Sequence, residues 1–110
     1  MRKFVFKMKL YPGYKEEYIR RHDEIWPELK DLLIKSGIRD YTIYLDEETD
    51  TLIGVQYLED DSFSQKLGSD QIMQRWWKYM ADIMETNPDL SPVVTPLESV
   101  FHMENTTQSE

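Results

Sequence analysis

His22 sits at the centre of the run Tyr18-Ile19-Arg20-Arg21-His22-Asp23-Glu24-Ile25-Trp26-Pro27, with Tyr18 four residues before it and Trp26 four after. On a helix, side chains four apart stand above one another on one face. The spacing therefore predicts an aromatic ridge with a titratable imidazole in its middle. Imidazole gives or takes a proton near neutral pH, because its ordinary pKa is roughly 6.5. The same spacing also describes the buried side of an amphipathic helix, and a lone histidine there fits a structural role equally well. His102, the chain's other histidine, reads as structural or exposed.

Tyr18 and Tyr41 each join an apolar ring to a hydroxyl that needs a partner when buried. Either alone is an ordinary core tyrosine. Their positions on the helix and strand patterns, however, direct both at the space that His22 enters. Trp76-Trp77 is the most unusual dipeptide of the chain. Consecutive helical residues diverge by roughly 100°, so one face cannot bury both centrally. Trp76 continues the stripe of Ile72, Tyr79 and Met80. Trp77 fits that stripe less well, and its indole suits either the C–H face of a sugar ring or a subunit contact. Arg20, Arg21, Arg75 and Lys78 flank these aromatics, available to a polyol or to surface carboxylates, where exposed pairs are weak.

The elements that must position these groups follow from periodicity. Arg2 to Leu10 alternates, with Phe4, Phe6, Met8 and Leu10 on one side, as in a half-buried strand. Tyr11-Pro12-Gly13 ends it. Tyr14 to Ser36 has helical spacing, interrupted by Pro27, which lacks an N–H and clashes with the preceding turn. A kink or a break near Asp23 to Trp26 is predicted, with Pro27 opening a second segment and Ser36-Gly37 stopping it. Asp40 to Asp46 and Thr51 to Leu58 read as a hairpin joined by Glu47-Glu48-Thr49-Asp50. Gly54 inside the second of these strands marks close approach by another group. Asp60 to Leu67 is predicted as a short helix stopped by Gly68, and Ser69-Asp70-Gln71 is predicted to start a further helix running to about Glu85. A breaker-rich loop from Thr86 to Pro92 leads to a last strand, Thr95 to Met103.

This order, β-α-β-β-α-β, is the ferredoxin-like arrangement, an α+β antiparallel sheet with helices on one face. Its other face, with Val5, Tyr44 and Val100, is expected to pack on a second subunit. Residues 1–103 are read as a single domain, and 104–110 as a polar, flexible tail.

The totals narrow the function. A length of 110 residues fits one domain. A net charge of −8 disfavours nucleic acid and anionic membranes as partners and suits a neutral ligand. With no cysteine there is no disulfide, thiolate metal site or cysteine nucleophile. The chain has neither a signal-peptide pattern nor an apolar run of membrane-spanning length, so a soluble cytoplasmic protein is expected. Phosphate loops, dinucleotide fingerprints, metal-binding clusters and Ser-His-Asp patterns are likewise missing from the sequence. Chemistry here is expected to be cofactor-free proton transfer, without metal.

Four blocks then carry a resemblance: Tyr18 to Leu29, Tyr41-Thr42-Ile43-Tyr44-Leu45-Asp46, Gln74-Arg75-Trp76-Trp77-Lys78-Tyr79-Met80, and Asn87-Pro88-Asp89 with Ser91-Pro92. Together, from about Arg2 to Met103, they resemble the L-rhamnose mutarotase family. The resemblance implies a ferredoxin-like fold in a dimeric α+β barrel, a homodimer, and cofactor-independent exchange of the α and β anomers of L-rhamnose. It implies His22 as proton donor and Tyr18, Tyr41, Trp76 and Trp77 as sugar-binding residues. A cofactor-free oxygenase of the same architecture and a non-catalytic sugar-binding dimer are the alternatives that remain open at this point.

Overall fold

A computed structural model of the chain describes residues 1–59 and 64–104. Strand β1 (Arg2–Lys9) leads through Tyr11-Pro12-Gly13 into helix α1 (Lys15–Asp23). Gly13 has φ 87, a left-handed value that glycine adopts at little cost. The chain breaks between Asp23 and Pro27 as Pro27 dictates. Trp26 is extended, and Pro27 takes the first position of helix α2 (Pro27–Lys35), where its missing N–H is harmless. Ser36 caps α2, and Gly37, at φ 100, turns the chain into strand β2 (Ile38–Asp46). Strand β3 (Thr51–Leu58) returns antiparallel beside it.

Beyond residues 60–63, Ser64–Ser69 forms a 3-10 helix, followed by helix α3 (Gln71–Met80). Asp70 caps α3 by accepting from the Ile72 amide at 2.8 Å. Strand β4 (Thr95–Pro96) closes the sheet, whose order is β2-β3-β1-β4, antiparallel throughout. The architecture is thus a small α+β one, with three α-helices and a four-stranded antiparallel sheet among the described residues.

The core lies between the helices and one sheet face. Phe6, Met8 and Leu52 from the sheet meet Tyr18, Leu29, Trp76 and Met80 from the helices. Gly54 pairs with Phe6 across the ladder, and a Cβ built there would stand 2.4 Å from the Phe6 ring. The group that requires glycine at this position is therefore Phe6. On the other face Val5, Ile53 and Val55 are half-buried, and Tyr44 is 60% exposed.

Three expectations need correction. Helix α3 stops at Met80 rather than near Glu85, because the chain after it pairs with the end of β1. Leu10 bridges Met84, Tyr11 N–H donates to the Ile83 carbonyl at 2.9 Å, and Glu85 N–H donates to the Lys9 carbonyl at 2.9 Å. The last strand covers Thr95–Pro96 rather than Thr95 to Met103. Pro96 has no N–H to extend the ladder; Leu97 makes one more bond, to the Val5 carbonyl, and Val100, Phe101 and Met103 are exposed. Gly68 lies within the 3-10 helix instead of ending a helix, and the Trp77 ring packs over it, 3.3 Å from where a Cβ would sit. Positions 60–63 of the predicted short helix lie outside the described residues, as does the tail from residue 105.

Candidate active site

Helix α1 presents Tyr18 and His22 one turn apart, and their rings stack with centroids 4.2 Å apart. Helix α3 presents Trp76, whose ring meets His22 at 5.4 Å and 89°, edge to face. The proline break rotates Trp26 away from the Tyr18–His22 pair. Trp26 instead packs on Trp76 at 5.1 Å and on Tyr79 at 5.7 Å. The ridge predicted from spacing is therefore divided: two members face the site, and the third supports its wall.

Strand β2 contributes Tyr41, opposite Gln56 in the ladder and 6.2 Å from the Phe6 ring. Tyr18, His22, Tyr41, Trp76 and Trp77 all line one cavity of about 660 Å³ between helices and sheet. That volume is in the range of small-molecule sites. The structure thus brings all five sequence-predicted residues together. Met8, Met73, Met80 and Met84 add a soft apolar wall, and Asp23, Lys30, Arg39 and Asp40 add charge to the lining.

Hydrogen bonding decides the histidine's tautomer. His22 Nδ1 lies 2.9 Å from the Tyr18 carbonyl, one turn earlier. A carbonyl only accepts, so Nδ1 carries the hydrogen and Nε2 of the neutral ring carries the lone pair. Burial holds the imidazole below its ordinary pKa of 6.5; the Tyr18 carbonyl and the Asp23 charge oppose this without reversing it. His22 therefore rests neutral at physiological pH, as a base.

Both tyrosines stay protonated. Burial pushes the Tyr18 phenol far up, and the Tyr41 phenol to about 12, with a Gln56 hydrogen bond partly opposing the latter. Tyr41 keeps 37% of its surface exposed. The cavity reconciles the two facts: its walls surround the phenol and desolvate it while leaving part of the residue accessible. Two neutral hydroxyls and one neutral imidazole in an apolar setting suit an uncharged ligand with hydroxyls of its own.

Of the basic residues that spacing left open, none lines the cavity. Arg20 pairs with Glu17 and Glu24 on the surface. Arg75 and Lys78 are exposed. Arg21 is buried, a fact with no local signal in the sequence because its partner Asp82 is 61 residues away. Met84 and Pro92 were also missed as lining residues. Met84 lies four residues after Met80 and so reads as ordinary helix core, and only the pairing with Leu10 turns it toward the cavity. Among the described residues no three His, Asp or Glu side chains converge as a metal site would require, and no helix is long and apolar enough to cross a membrane.

Comparison with known proteins adds a separate line of support. Residues 3–103 match the family model described as L-rhamnose mutarotase. The L-rhamnose mutarotase of Bacteroides thetaiotaomicron is 57% identical over 104 residues, covering 94% of this chain and all of the relative. That of Mesorhizobium japonicum is 56% identical over 101 residues, covering 92% of this chain and 96% of the relative. Among solved structures, the crystal structure of L-rhamnose mutarotase from Formosa agariphila matches with a TM-score of 0.86 and 49% identity, covering 94% of this chain and all of that one.

Proposed function

The chain belongs to the L-rhamnose mutarotase family, and from that premise we propose that it is an isomerase exchanging the α and β anomers of L-rhamnose, with His22 moving the proton. The observation that carries the assignment to His22 is its commitment of Nδ1 to the Tyr18 carbonyl inside the shared cavity. Nε2 is thereby the nitrogen available to substrate.

Mutarotation breaks the bond between the anomeric carbon and the ring oxygen and reforms it on the other face. Opening moves one proton, from the anomeric hydroxyl to the ring oxygen. Neutral Nε2 takes the proton from the hydroxyl, the C1–O1 bond becomes a carbonyl, and the resulting imidazolium donates to the ring oxygen as it leaves. Both oxygens are bonded to the same carbon, so one nitrogen in a fixed ring serves both in turn. Rotation about C1–C2 presents the other carbonyl face, and closure runs the same transfers backwards. No redox or Lewis-acid step enters this sequence, which suits a cofactor-free enzyme. Tyr18 and Tyr41, as neutral phenols, orient sugar hydroxyls. Trp76 and Trp77 supply an apolar wall for the ring's C–H face and for a deoxysugar's methyl group.

The wider reading is a ferredoxin-like fold in a dimeric α+β barrel, with residues 1–103 as one catalytic domain. The strand order supports it, as do the half-buried Val5, Ile53 and Val55 on the uncovered sheet face and the exposed Val100 and Phe101 beyond β4. An apolar surface of this kind fits a homodimer. A chain without cysteine and with a net charge of −8 suits a cytoplasmic enzyme acting on a neutral sugar.

Proton NMR on the anomeric signals of L-rhamnose tests the reading. Wild-type protein is expected to accelerate exchange well above the spontaneous rate, and folded His22→Ala is expected to bind sugar without that acceleration. Binding without acceleration by the wild type would instead make the protein a sugar-binding module.

A further inference from the structure

We infer that Arg21 is a positioning residue for this reaction: its guanidinium sets the His22-bearing face of α1 against the end of α3 that carries Trp76. The inference rests on the proposed role of His22.

Arg21 immediately precedes His22, and its side chain is only 9% exposed. Its guanidinium meets acceptors on both helices and beyond. Nε donates to Glu17 Oε2 at 2.7 Å, one turn earlier on α1. Nη1 donates to the Tyr79 carbonyl at 2.7 Å and to Asp82 Oδ1 at 2.9 Å, while Nη2 donates to Asp82 Oδ2 at 3.3 Å. The Tyr79 carbonyl is among the last four of α3, the group that a helix leaves without an internal donor. Cationic donors at that end also complement the helix dipole. The guanidinium further lies over the Tyr79 ring, 4.5 Å from its centroid.

Tyr79 passes this constraint to the site. Its ring contacts Trp76 at 5.6 Å and Trp26 at 5.7 Å, and Trp76 in turn meets His22 at 5.4 Å. Arg21 therefore closes a ring of contacts running from α1 through Tyr79 and Trp76 back to His22. Two helices joined only by apolar packing would slide; three directed bonds from one planar group, one to the last turn of α3 and two to Asp82 just beyond it, fix their separation and rotation together, while the fourth, to Glu17, steadies the guanidinium on α1. The reaction needs that fixity, since a displacement of about 1 Å at a reacting group costs on the order of a hundredfold in rate. Glu17 is held below the usual carboxylate range first by Arg20 and then by Arg21, and Asp82 by Arg21, so all three charges of the Arg21 cluster persist at neutral pH.

Three variants test the inference: Arg21→Met keeps the apolar stem, Arg21→Lys keeps the charge without the planar fork, and Asp82→Asn changes an exposed partner while leaving Arg21 in place. Each is assayed, well below its melting temperature, for kcat and KM of L-rhamnose anomer exchange. The ring-proton resonances of His22 are followed in the same samples, because the Trp76 and Tyr18 rings shift them. The inference predicts a kcat loss of roughly tenfold or more in Arg21→Met, a partial loss in Arg21→Lys, and a smaller loss in Asp82→Asn. KM is predicted to change less than kcat, and the His22 resonances to move in the same rank order. Asp82→Asn decides the matter if Arg21→Met does not fold. Wild-type kcat with unmoved His22 resonances in a folded variant, even one with a lowered melting temperature, would overturn it. If instead His22→Ala matches the wild type, the underlying assignment fails and the Arg21 inference falls with it.

Discussion

At the scale of residues, the site is a matter of protonation states set by burial. His22 rests neutral because desolvation outweighs the Tyr18 carbonyl and the Asp23 charge. In the proposed mechanism its Nε2 must be unprotonated to accept the first proton, so activity is expected to follow the neutral form. As pH falls through the depressed pKa, the neutral fraction shrinks and kcat/KM falls with it. We predict a pH–rate profile flat at neutral pH, with an acid limb centred below the ordinary histidine value of 6.5. A resting imidazolium would give the opposite sense, activity lost as pH rises through the same region. The tyrosines contribute no limb near neutrality, because burial raises both phenols. Trp77 tests the apolar wall. Trp77→Ala opens space beside Gly68 and removes a flat surface from the cavity. Sugar affinity, measured by titration calorimetry, is predicted to weaken by roughly tenfold, about 1.4 kcal/mol, with less change in kcat.

The elements show which parts of this design are local. Strand β1 was legible in the sequence from its period of two, and the α1–α2 break from Pro27, because alternation and proline chemistry act on adjacent residues. Gly54 signalled a close neighbour, and cross-strand register then identifies it as Phe6. The Phe6 ring is itself stacked on Phe4 at 5.0 Å and buried, so it has little room to yield. Gly54→Ala is therefore predicted to destabilise the fold by about 1–3 kcal/mol in denaturant unfolding, and a neutral result would mean that the Phe6 ring relocates freely. By contrast, the end of α3 and the extent of β4 depend on what the chain meets. Ile83 and Met84 leave helical geometry to pair with Leu10 and Tyr11, near the other end of the sequence. No local pattern records such a partner. Arg21 failed for the same reason, since beside Arg20 it reads as a second surface arginine.

For the whole molecule, the five candidate residues come from three separated segments, α1, β2 and α3, around a cavity that β1 and α2 also line. Sequence reasoning reached all five candidate residues because each bore a distinctive type or pairing and because the blocks containing them resembled one family. The methionine wall was less legible, since methionine on an apolar stripe looks like ordinary core. In the proposed dimer, the uncovered sheet face is where a second copy of the chain packs. Sedimentation is predicted to give a dimer at micromolar concentration, and Val5→Lys together with Val55→Glu, both on that face, to shift it toward monomer; an unchanged mass in the folded double variant would place the interface elsewhere.

The claim on which the rest depends is that His22 carries the proton through Nε2. His22→Asn tests it most directly, because an asparagine amide keeps a donor near the Nδ1 position for the Tyr18 carbonyl while removing Nε2. Exchange spectroscopy on the α and β anomeric protons of L-rhamnose then reports the catalysed rate in a folded, sugar-binding protein. The account predicts a rate near the spontaneous one, a fall of at least roughly a hundredfold relative to wild type. Exchange within a few-fold of wild type would contradict it.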